Sequence, residues 1–107
     1  MADGNVDGEY KIELRALTFT PPTMSIKVGD TIKFTGENGS ETWSGHHNVN
    51  GKKTVSGQEG NPAELYSGSA VMNGSFEHTF TVAGQYKIQC DPHADQGMKA
   101  TIIVTES

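Results

Sequence analysis

Apolar and polar residues alternate along much of this chain with the period of a β-strand. Tyr10, Ile12 and Leu14 are separated by Lys11, Glu13 and Arg15, the two-residue repeat of a strand with one face buried. Pro21-Pro22 interrupts the pattern, and Met24-Ser25-Ile26-Lys27-Val28 resumes it. Gly29-Asp30 reads as a turn into Thr31-Ile32-Lys33-Phe34, a strand–turn–strand unit. Phe76, His78, Phe80 and Val82 fall on one face of another strand, and Ala83-Gly84 turns it into Tyr86-Lys87-Ile88-Gln89-Cys90. In that segment Tyr86, Ile88 and Cys90 point the same way. The last strand runs from Lys99 to Thr105 around Ile102, Ile103 and Val104.

Short strands with regular turn signals predict an all-β sandwich. Only Asn61–Tyr66 has the composition for a single helical turn. The Gly- and Ser-rich stretch 55–75 predicts irregular structure, with one poorly patterned strand near Ala70–Met72. With 107 residues and neither linker nor internal repeat, the chain reads as one domain, 1–107.

The net charge of −5 is dispersed. No basic stripe exists to neutralise phosphates, which argues against nucleic acid as a partner; Lys52-Lys53 reads as a solvated loop. No run approaches the ~18 apolar residues of a membrane span. Met1-Ala2-Asp3-Gly4 has neither the basic nor the apolar region of a secretion signal. The single cysteine allows no intrachain disulfide and suggests a reactive or metal-bound thiol.

That cysteine lies in Cys90-Asp91-Pro92-His93-Ala94-Asp95-Gln96-Gly97-Met98, directly after a predicted strand. A lone cysteine is usually a small buried hydrophobe. Here a thiolate, an imidazole and a thioether follow one another at short intervals, a soft donor set that selects copper over magnesium, calcium or manganese. Zinc prefers a closed set of Cys, His or carboxylate, and thioether is not among its usual ligands. Two histidines, one cysteine and a weak axial methionine make a blue-copper electron-transfer site. The loop contains three of those four, and His47 in Gly45-His46-His47-Asn48-Val49 is the candidate for the fourth. Asp91-Pro92 favours a tight turn that brings His93 back toward Cys90. Pro92, lacking an N–H, cannot donate to the sulfur. Gly97 lets the chain turn sharply before Met98.

Cys-x-Pro-His-x-x-x-Gly-Met, with His-Asn-Val upstream, resembles the cupredoxins, the small blue copper proteins. The spacings look like those of the plastocyanin and pseudoazurin subgroups. The resemblance covers about Glu9 to Thr105, including Val28–Phe34 and Gly84–Cys90. Between the subgroups the residues do not decide: Gln89 stands where plastocyanins tend to carry tyrosine, and no run of consecutive acids is present. The resemblance implies a Greek-key β-sandwich of about seven to eight strands, with His47, Cys90, His93 and Met98 as ligands of one copper ion. It places Asn48 where the family ties the two ligand loops together and hydrogen-bonds the thiolate. It also implies export to a periplasm, an extracellular face or a thylakoid lumen.

His46 then reads as a solvated loop residue, His78 as a packed, hydrogen-bonded histidine, and Trp43 as a core residue or else a partner contact. Asp95 and Gln96 read as solvent-facing. The expected activity is that of a monomeric one-electron carrier whose redox partners dock near His93, on a neutral patch of Gly45, Ala94, Gly97 and Met98. Copper storage would call for more thiols and methionines than the chain can cluster. A Cys90–His93 nucleophile would need a pocket and an oxyanion-stabilising element, and a multicopper oxidase would need a longer chain.

Overall fold

The computed structural model describes residues 9–106, so the Met1–Gly4 stretch considered above lies outside the described residues. Among the described residues seven strands form two sheets: β1 (Glu9–Leu14), β2 (Phe19–Thr20), β3 (Thr23–Lys27), β4 (Thr31–Thr35), β5 (Phe76–Thr79), β6 (Gly84–Gln89) and β7 (Lys99–Thr105). One sheet has the order β2-β1-β4-β5 and the other β3-β7-β6. The outermost strands in sequence, β1 and β7, are internal in their sheets. β1 runs parallel to β4 from Glu9 opposite Thr31 to Glu13 opposite Thr35, and β7 runs parallel to β3.

The alternating residues supply the core. Ile12, Leu14, Ile32 and Phe34 of one sheet face Met24, Ile26, Tyr86, Ile88, Ile102 and Val104 of the other, all buried. Burying side chains of this size is worth about 1.5–3 kcal/mol each before entropy is counted.

The turn signals carry the chain across the sandwich. Gly29, with φ of 98°, lets the chain leave β3 for β4 in the opposite sheet. Ala83-Gly84 likewise joins β5 to β6 across the layers. Neither unit is therefore a hairpin, because the buried faces of consecutive strands must meet rather than lie side by side. β5 stops at Thr79. Phe80 is buried and bonds the turn through Phe80 N–H to Asp30 O. Val82, expected to share a strand face with Phe80, lies beyond the strand and is 43% exposed, and its carbonyl accepts a hydrogen bond from the Tyr86 hydroxyl.

The segment between β4 and β5 pairs only through isolated bridges, His47 with Val71 and Asn50 with both Tyr66 and Gln89. The Ala70–Met72 strand is thus reduced to one bridge at Val71, and Asn61–Tyr66 forms no helical turn. Asn61 instead works as a polar clamp. Its side chain donates to Gly51 O and Lys87 O and accepts from Lys87 N–H, at 3.0, 2.9 and 2.8 Å. It thereby stands in for a missing neighbour strand at the free edge of β6, immediately before Cys90.

Asn61→Ala should accordingly destabilise the copper-free protein by about 3 kcal/mol, since it leaves the buried groups it serves unpaired. Urea unfolding monitored by Trp43 fluorescence measures this, and a loss below about 1 kcal/mol would show that the clamp is dispensable.

Candidate metal centre

The site forms where β6 ends and the irregular segment after Trp43 crosses it. The buried face of β6 continues into Cys90, whose side chain is fully buried beyond Tyr86 and Ile88. The chain then enters a 3-10 helix, Asp91–Gln96, with Pro92 in its first turn and Gly97 closing it in the left-handed region at φ 89°. The expected tight turn is thus a longer helical one. It returns the chain on itself: Cys90 N–H donates to Met98 O, Met98 N–H to His93 O, and His93 N–H to Cys90 O.

His47 arrives from the other side. His47 N–H bonds Val71 O and Val71 N–H bonds His47 O, at 3.1 and 3.0 Å. Trp43 anchors the same pairing through Nε1 to Val71 O at 2.9 Å and is 1% exposed, so it is a core residue. Gly45, at φ 86°, lies against the His47 ring, where a Cβ would meet Nε2 at 3.1 Å.

His47 Nδ1 and His93 Nδ1 lie 3.4 and 3.5 Å from the Cys90 sulfur. The donor atoms of these three residues all fall within 4.8 Å of one another. First-row metal bonds of about 2.0 Å to imidazole and about 2.3 Å to thiolate set donors roughly 3.5 Å apart at tetrahedral angles. The cluster therefore fits a single soft metal ion. Met98 is fully buried, with its backbone hydrogen-bonded to both Cys90 and His93. That burial corrects one expectation: Met98 cannot belong to a surface patch, because its apolar thioether side chain packs into the core cluster.

The electrostatics of the cluster follow first from its burial. Burial pushes the Cys90 thiol up, opposed by the backbone N–H groups of Asn48 and His93, while the Asp91 charge adds to the rise. Burial lowers His47, as do the neighbouring His93 and His46 imidazoles, against a hydrogen bond with the Ser44 backbone. Neutral imidazoles are the form that binds metal, and a coordinated thiol is deprotonated by the ion's own charge.

Asn48 ties the two segments together, as the resemblance implies. Its Nδ2 donates to Asp91 Oδ2 and to Gly68 O, both at 3.0 Å, and its Oδ1 accepts Asp91 N–H at 2.8 Å. The sequence reading missed the rest of this network. Asp91 also accepts from Asn50 and Gln89, and although burial raises its carboxyl, these amide donors hold it below its ordinary value. Nothing in Asp-Pro distinguishes such a hub from a turn residue.

The remaining histidines lie apart from the cluster. His46 is exposed and bonds Ala70 O at 2.9 Å. His78 is half-buried, stacked on Phe76 and edge-on to Phe80; these ring contacts, rather than the expected hydrogen bond, hold it among the described residues.

Comparison with known proteins agrees with this chemistry. Residues 6–105 match the model of the copper binding proteins of the plastocyanin/azurin family. The plastocyanin of Scenedesmus fuscus is 34% identical over 92 residues, covering 83% of this chain and 88% of that protein. Plastocyanin A/B of Petroselinum crispum is 33% identical over 91 residues, covering 82% and 88%. A Cu(I) amicyanin variant superposes with a TM-score of 0.66 at 26% identity, over 92% of this chain and 84% of that one. A pseudoazurin from Sinorhizobium superposes equally well at 25% identity, with TM-score 0.66 and coverage of 92% and 74%. The chain belongs to the plastocyanin/azurin family of copper-binding proteins. It is a type 1 copper protein that transfers electrons between redox proteins, and it is not an enzyme.

In the copper-free protein the raised thiol should leave less thiolate at pH 8 than a free cysteine of pKa about 8.5. Iodoacetamide should therefore alkylate Cys90 several-fold more slowly than a model cysteine peptide, faster as pH rises, and not at all once copper is bound. Alkylation as fast as in the free peptide would contradict the burial of the sulfur.

Proposed function

We propose that His47, Cys90, His93 and Met98 hold one copper ion, and that this single-domain chain, 1–107, works as a monomeric carrier of one electron whose partners dock around His93. The observation that carries the reading is the convergence of the His47, Cys90 and His93 donor atoms within 4.8 Å at one end of the sandwich. Bound copper supplies the Cu(I)/Cu(II) couple. The protein's part is to hold its donors still, so that little rearranges when the charge changes. Backbone hydrogen bonds fix Cys90, His93 and Met98 to one another, and the bridge to Val71 fixes His47.

His93 is the half-buried member of the set, whereas His47, Cys90 and Met98 are buried. Its ring edge is the short path from the metal to a docked partner, and exposed Gly45 and Gly97 leave the surroundings uncrowded. A weak redox encounter buries under about 1,200 Å², within reach of a patch of this kind. No helix among the described residues is long and apolar enough to cross a membrane. One relative, 32% identical, is a chloroplastic plastocyanin of Chlamydomonas reinhardtii; with the family membership this supports an exported setting, lumenal or periplasmic.

Single substitutions test the ligand set. Cu(II) added to the native protein should give an intense visible thiolate-to-copper band that ascorbate bleaches reversibly. Cys90→Ser should abolish it without unfolding the sandwich, and His47→Ala should strip or remodel it. His46→Ala should leave colour and stoichiometry unchanged. A coloured Cys90→Ser protein, or loss of the band in His46→Ala but not in His47→Ala, would contradict the assignment.

The axial position has its own readout. Met98→Gln replaces a soft thioether with a harder oxygen of similar reach, which favours Cu(II). The potential should fall by about 100 mV, roughly 2 kcal/mol for a one-electron couple, with the band altered but present. Voltammetry showing an unchanged or raised potential would remove Met98 from the site.

A further inference from the structure

We propose that Asp91 is a positioning residue of the electron-transfer site: its carboxylate locks three amide side chains into a frame around Cys90, and its negative charge holds the copper potential down. The proposal rests on copper binding at Cys90.

Both carboxylate oxygens are used. Oδ1 accepts from Gln89 Nε2 at 2.8 Å and Asn50 Nδ2 at 3.0 Å, while Oδ2 accepts from Asn48 Nδ2 at 3.0 Å and Asn50 Nδ2 at 3.1 Å. The Asp91 N–H completes the ring by donating to Asn48 Oδ1 at 2.8 Å. The amides of Asn48 and Asn50 cannot turn over to suit another partner. Asn48 also donates to Gly68 O, and Asn50 Oδ1 accepts Lys52 N–H. Only an ionised carboxylate offers two acceptor oxygens and no donor to such a set; an asparagine would set N–H₂ against N–H₂. The frame matters to the metal because it fixes Asn48 and Asp91, the residues that directly follow His47 and Cys90 in the chain.

The charge acts separately. Among the described residues the hydrogen-bond partners of Asp91 are amides, and no cation pairs with it. Cu(I) becoming Cu(II) adds one positive charge beside Cys90 as one electron passes to the partner protein. An unneutralised carboxylate on the next residue favours the more positive state, so it lowers the potential. Because the side chain is exposed, salt should weaken this effect.

Three variants separate frame from charge. In Asp91→Asn the Cu(I)-to-Cu(II) affinity ratio should rise about fivefold, or about 41 mV at 59 mV per decade, and the rise should shrink at high salt. Asp91→Ser, neutral and short, should move the potential the same way and serves if the asparagine variant folds poorly. Asn50→Ala loosens the frame but keeps the charge and both Asn48–Asp91 hydrogen bonds, so any rise in its potential should stay well below that of the neutral variants. In the copper-free protein, hydrogen exchange at the residue-91 amide should speed up several-fold in Asp91→Asn and Asn50→Ala alike. An unchanged or lowered potential in the neutral variants would overturn the charge role, as would an equal rise in Asn50→Ala. Unaltered exchange would overturn the frame.

Discussion

A reciprocal pair of hydrogen bonds between Asn48 and Asp91 joins chain segments 43 residues apart, and the metal site depends on that junction. His47 sits immediately before one end and Cys90 immediately before the other. The bond to the Asp91 carboxylate contributes about 1.5–3 kcal/mol and the neutral one about 0.5–1.5 kcal/mol, enough to hold two loops in register without a disulfide. Their effect on the site is geometric. With residue 48 fixed to residue 91, the Nδ1 of His47 and the sulfur of Cys90 meet at 3.4 Å. The remaining donor loop closes on itself through backbone bonds among Cys90, His93 and Met98.

The sandwich supplies what the junction needs on either side. Central β7 and edge strand β6 carry Cys90 to the end of the core on a buried face, and Asn61 substitutes for a neighbour strand along the free edge of β6. Trp43 pins the His47 segment through Val71. Rigidity is the functional quantity here: donors already placed for one ion move little when its charge changes. The burial that secures them also raises the thiol and lowers the His47 imidazole, so copper meets neutral nitrogens and a sulfur whose proton the metal itself displaces.

The strands and the ligand loop were legible in the sequence for the same reason, since each is a local pattern. Alternation marked β1, β3, β4, β5 and β6, an apolar run marked β7, and the Cys90–Met98 spacing carries soft-metal chemistry whatever surrounds it. Long-range structure was not legible. Gly29-Asp30 and Ala83-Gly84 are turn signals in any fold, and nothing local says that they cross between sheets. β2, two residues long, has too few positions to show a period. The bridges of Asn50 to Tyr66 and Gln89 come from an irregular segment with no repeat to read. Met98 looked like part of a neutral surface patch because it is apolar and neighbours Gly97 on the ligand loop, whereas the 3-10 helix returns it to the core.

X-ray absorption at the copper edge, on the loaded protein in both oxidation states, tests the central claim that the fold holds His47, Cys90 and His93 ready for one ion. One sulfur at a short distance and two imidazole nitrogens are expected around the copper, with the same set retained in Cu(I) and Cu(II) at neutral pH. A first shell of nitrogen and oxygen alone, or one that exchanges ligands between the two states, would contradict it.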